Sequence, residues 1–130
     1  MDSADNVSGA QAGALDPVNG MFWTWTTGYV MAKLEGTSPF VTGSATNEFS
    51  YHVGGFKEPY SAIKTITLPV SVFMKKDTSI TISIDADINT WFSHASPLKL
   101  SETPACHAPG ELARKIADNY EGMFYITAVQ

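Results

Sequence analysis

Residues 78–88 read "TSITISIDADI", and no other stretch restricts the fold as sharply: Ile80, Ile82 and Ile84 alternate with Thr81, Ser83 and Asp85. A period of two in β-branched residues is the pattern of a strand with one dry face and one wet face. It predicts a strand with the isoleucines facing in. The same grammar recurs along the chain. "NEFSYHVGG" (47–55) sets Phe49, Tyr51 and Val53 on one face and His52 on the other, and ends at paired glycines. "AIKTITLPVSVFM" (62–74) alternates Ile66, Leu68 and Val70 with Thr65 and Thr67, with Pro69 pointing to an edge or a bulge. "MFYITAVQ" (123–130) returns to strand character.

The aromatic run "GMFWTW" (20–25) reads as a core strand entered through the turn "DPVNG", with Trp23 and Trp25 on one face. Helical signals are short. "DINTWF" (87–92) allows one or two turns, and "PGELARKIADNY" (109–120) opens on Pro and Gly and spaces Leu112, Ala113 and Ile116 for one apolar face. Strands dominate, so the predicted fold is an antiparallel, Greek-key-like β-sandwich with one or two short helices. At 130 residues the chain is expected to be one domain, with a long loop over 1–20 and a core over 21–130.

Composition narrows the partners. A formal charge of −5 and only eight Lys and Arg argue against nucleic acid and against anionic membranes, both of which need a basic patch. No transmembrane run or secretion signal is present in the sequence, and a processed fragment would read the same way. The single cysteine, Cys106, cannot form an internal disulfide.

Motifs of high chemical specificity are missing from the sequence. His52, His94 and His107 match no metal spacing such as HExxH. Cys106 beside His107 offers soft and imidazole donors that suit copper, yet neighbours on an extended chain point in opposite directions, so a buried thiol is the competing reading. "DADIN" (85–89) imitates the start of an EF-hand loop but has Thr90 and Ser96 where the later glycine and closing glutamate belong; strand end or helix cap is the better reading. Asp2, Asp5, Asn6, Asp16 and Asn19 in the loop 2–20 could wrap calcium, or serve only as solvated polarity. No GxSxG elbow or paired base and nucleophile appears, so the expectation is a protein that is not an enzyme.

Four blocks in order carry a resemblance: "NVSGAQAGALDPVNGMFWTWTTGYVMAKLEGTSP", "FSYHVGGF", "AIKTITLPV" and "HAPGELARKIADNYEGMF". Together they resemble the C-terminal two-thirds of the MbnP-like domain, a periplasmic copper-binding family associated with methanobactin operons and common as lipoproteins in Bacteroidetes-type bacteria. The resemblance implies an extracytoplasmic β-sandwich, possible truncation at the N-terminus, and a periplasmic or cell-surface home. It implies copper held by histidine nitrogens, with His52 and His107 as ligands, and an oxidised tryptophan (kynurenine) sought at Trp23 or Trp25, made in some relatives by a di-haem MauG-like peroxidase. The sequence departs from the pattern at its end, where Ala128 and Gln130 stand in place of expected histidines. Two function classes are open: a non-enzymatic extracytoplasmic copper-binding protein, or a structural or interaction domain of the cell surface that has lost its metal site. A sandwich lacking strands would expose an edge, which predicts a homodimer or strand exchange.

Overall fold

The computed structural model describes residues 11–24, 26–43 and 45–130. Among the described residues, six strands fall into two sheets. Strands β1 (Phe22–Thr24), β2 (Gly28–Thr37), β3 (Glu48–Gly54) and β5 (Ala105–Cys106) form one sheet in the order β1-β2-β3-β5, and β4 (Ile82–Ala86) pairs with β6 (Phe124–Val129) in a two-stranded ribbon. All pairs are antiparallel except β3 with β5. The helices are α1 (Thr90–Ser93) and α2 (Glu111–Tyr120). A chain mainly of strands in two sheets, with few short helices, is consistent with the expected β-sandwich.

Why β1 and β2 separate is local chemistry. The Thr24 hydroxyl accepts from the backbone N–H groups of Thr26 and Thr27, and Gly28 takes a φ of 76° that side-chain-bearing residues avoid. The run 21–36 is therefore a short hairpin rather than one long strand. Ahead of it, Asp16 caps a 3-10 turn by accepting from the Val18 N–H at 2.9 Å, and Gly20 closes that turn in the left-handed region, as "DPVNG" predicted. The Tyr29 hydroxyl donates to the Leu15 carbonyl at 2.8 Å and accepts from the Gln11 N–H at 3.1 Å, so the approach loop is tied to β2.

The core lies where β3 and β5 meet the helices. Tyr51 and Val53 from β3, Cys106 from β5, Trp91 from α1 and Ala113, Ile116, Ala117 and Tyr120 from α2 are buried together. The α2 positions follow i, i+3, i+4 and i+7, one stripe of a helix. Each fully buried large side chain contributes about 1.5–3 kcal/mol. Asn119 serves as the polar tie of this core: its amide donates to the carbonyls of Trp91 and Ser96 and accepts from the N–H groups of Ala95 and Ser96. With every bond made, burial of that amide is compensated.

Three expectations are corrected. The stretch 62–74 contains no strand: Ala62 is buried and held by a bond to Gly55, Lys64 is paired with Asp118 and Glu121, and residues 65–74 have no ladder partner among the described residues. Alternation qualifies a segment for a sheet, but only a hydrogen-bonding neighbour makes it a strand. Ile82 and Ile84 do lie on a strand, yet they are 42% and 53% exposed, so the cleanest alternation in the sequence faces no core. Finally, the described part of "GMFWTW" is an edge strand, β1, rather than a core strand. Trp23 is half-buried, Trp25 lies outside the described residues, and among the described residues the tryptophan of the core is Trp91. Its indole N–H donates to the Met123 sulfur at 3.2 Å.

Candidate metal site

β3 alternates cleanly. Tyr51 and Val53 point into the core, so Ser50, His52 and Gly54 point to the opposite face. The parallel pairing of β3 with β5 matches Ser50 with Ala105 and Tyr51 with Cys106. Continuing that register by one residue sets His107 beside His52, and the two imidazole rings stand 4.8 Å apart, centroid to centroid, tilted by 49°. Two residues separated by 55 positions in the chain are thus neighbours on one sheet face. A metal bonded to a ring nitrogen at about 2 Å stands about 3 Å from the ring centre, so rings at this spacing can share one ion.

Cys106 takes the other face. It is buried in the core, and burial pushes its thiol above the ordinary range, which is the inert state of a structural cysteine. The Cys106–His107 pair therefore splits, with sulfur inward and imidazole outward. His94 lies elsewhere, packed on Gly122.

Around His52 the sheet supplies a polar set that reading the chain alone missed. Glu35 on β2 stands opposite Ser50 and diagonal to His52. Its Oε1 accepts from the His52 Nε2 at 2.6 Å and from the Ser50 hydroxyl at 3.2 Å, while Oε2 pairs with Lys33 Nζ at 3.1 Å. The hydrogen bond from His52, followed by that from Lys33, holds the Glu35 carboxyl at about 2, well below the usual range. The available signal was the spacing "KLE" on one strand against "SYH" on the next, but only the β2–β3 register brings the two together. Ser50, His52 and Glu35 do not make a triad, because hydroxyl and carboxylate both meet the same ring nitrogen, and a relay needs one on each.

Trp23 belongs to the same face. A Cβ on Gly54 would stand 2.9 Å from the Trp23 ring and 2.5 Å from the Tyr29 carbonyl, so the ring lies directly over this glycine, two residues along β3 from His52. Gly55, with φ 107°, similarly leaves room for Pro109, which carries the segment behind His107 close to the sheet. Of the four site residues expected, the structure gathers His52 and His107 as a pair and Trp23 over the same strand; Trp25 lies outside the described residues. Among the described residues no group of three or more His, Cys, Asp or Glu converges as a cage. In the loop expected to suit calcium, residues 2–10 are outside the described set, and Asp16 and Asn19 spend their side chains on the loop's own backbone.

A sheet face on which the imidazoles of His52, in β3, and His107, just past β5, lie side by side defines a β-sheet protein with a candidate metal-ligating pair. The chain belongs to the MbnP family, whose model matches residues 1–108. β1–β3, β5 and both histidines fall inside that span, while α2 and β6 fall beyond it. Membership points to a copper-related extracytoplasmic role. No helix among the described residues is long and apolar enough to cross a membrane. No curated protein and no solved structure matches the chain.

Proposed function

We propose that this chain is a non-enzymatic extracytoplasmic protein that binds copper through His52 and His107. The observation that carries the reading is the 4.8 Å approach of the two rings on one exposed face. Imidazole is a favourable donor for copper; His52 sits on β3 within the ladder, and His107 follows directly after the last residue of β5. The protein supplies two nitrogens, so further donors come from outside this pair. Trp23 is the tryptophan we nominate for oxidation to kynurenine, by a di-haem MauG-like peroxidase as in relatives, because it lies on the site face over Gly54.

Copper titration of the purified chain tests this. Wild type is expected to bind copper, and His52→Ala and His107→Ala each to lower affinity by about a hundredfold or more as one of two ligands is lost. A double variant that binds as tightly as wild type overturns the site. Peptide mass spectrometry of protein from its native host reads whether Trp23 carries the modification.

A second reading, an interaction domain, has its own observation. Ile82, Ile84, Tyr125 and Val129 on the β4–β6 ribbon, with Phe73 and Met74 nearby in sequence, are large apolar side chains left exposed. The two strands pair only with each other among the described residues, and an isolated ribbon is marginal in water. We propose a second copy of this chain as the occupant, pairing ribbon edge to ribbon edge into a wider sheet. A monomer in sedimentation at micromolar concentration, unchanged by Ile84→Lys, overturns it.

A further inference from the structure

We propose that Glu35 is a positioning residue that fixes the His52 tautomer and thereby makes Nδ1 the nitrogen His52 presents to a metal. This rests on the copper reading above. The geometry is specific. His52 Nε2–H donates to Glu35 Oε1 at 2.6 Å, which in the neutral ring leaves the lone pair on Nδ1. The carboxylate cannot turn away easily, because Ser50 donates to the same oxygen and Lys33 holds the other at 3.1 Å. Both of its oxygens are engaged by the sheet, so Glu35 acts through His52 rather than as a third ligand. A carboxylate on the far nitrogen also raises the basicity of the ligating one. All three partners project from adjacent strands in fixed register, Lys33 opposite His52 and Glu35 opposite Ser50, so the ring is oriented by the ladder itself.

Two readouts separate this proposal from the reading beneath it. Long-range proton–nitrogen correlation spectra of the apo protein report the tautomer without any metal, and competition for Cu(I) against a chromogenic chelator reports affinity. In wild type the His52 spectrum is expected to show the proton on Nε2. Glu35→Gln and Glu35→Ala should scramble the tautomer and weaken Cu(I) binding by about 10–100-fold, with Glu35→Asp retaining part of both. Thermal melts should stay close to wild type, because the Glu35 side chain is half-exposed. A wild-type proton on Nδ1, or unchanged Cu(I) affinity in Glu35→Ala, overturns the proposal. Wild type that shows the Nε2 proton but binds no Cu(I) overturns the copper reading alone and leaves the orienting role of Glu35 standing.

Discussion

The β3 strand and the β4–β6 ribbon are written in the same alphabet and meet opposite fates. "FSYHV" and "ITISI" both alternate apolar with polar residues, yet Tyr51 and Val53 are sealed while Ile82 and Ile84 stand in solvent. The difference lies in what covers each strand. β3 has β2 and β5 as neighbours and α2 across its apolar face; among the described residues the ribbon has only its own two strands. Alternation thus assigns a residue to a face, and the packing partner decides whether that face is dry.

The widest gap between the regions is expected from one substitution made twice. Ile116→Ala, in the sealed core, should cost about 2–5 kcal/mol in urea unfolding, whereas Ile84→Ala on the ribbon should cost less than about 1 kcal/mol. Comparable costs would mean that the ribbon is buried in solution.

pH separates the regions next. Burial pushes the Tyr51 phenol up to about 12, and its hydroxyl donates to the Thr103 carbonyl at 2.6 Å. Because the folded value exceeds the unfolded one, the stabilisation is complete below about pH 10 and disappears as pH rises through 12. About 2–3 kcal/mol should be lost across that window. Denaturation midpoints measured from pH 9 to 12 check it, and Tyr51→Phe should make the curve shallower, with Tyr120, also pushed up by burial, supplying the remaining slope.

A smaller effect is expected on the site face. Gly54→Ala would drive a methyl group against the Tyr29 carbonyl and the Trp23 ring, at a cost of about 1–3 kcal/mol, and should shift tryptophan emission as that ring is displaced. Full stability with unchanged emission would show that Trp23 does not rest on β3. The smallest contrast is chemical. Met74, 63% exposed, should convert to the sulfoxide under mild peroxide, while Cys106, 5% exposed with its thiol raised, should resist alkylation until the chain is unfolded. Mass spectrometry reads both in one sample.

Several elements were legible from residues alone. The turn at 16–20, the strand at 47–55, the helix predicted over 109–120 and the final strand all carry local signals that the structure reproduces as a 3-10 turn, β3, α2 and β6. "DADIN" ends β4 and turns the chain toward α1, with Asp87 Oδ1 accepting from the Asn89 N–H at 2.9 Å; the helix itself has no side-chain cap. The stretch 62–74 misled, because it holds the right period and has no ladder neighbour among the described residues.

The sequence by itself determined which way side chains point: His52 away from Tyr51 and Val53, His107 away from Cys106. Periodicity is a property of the local backbone, so it is written locally. Only the tertiary structure decided that those two histidines meet, that Glu35 accepts a hydrogen bond from one of them, and that Trp91 rather than Trp23 enters the core. The first two depend on the register between strands distant in the chain, β2 with β3 and β3 with β5, set by the burial of the opposite face against α2, and the third on α1 packing Trp91 against Tyr120 of α2.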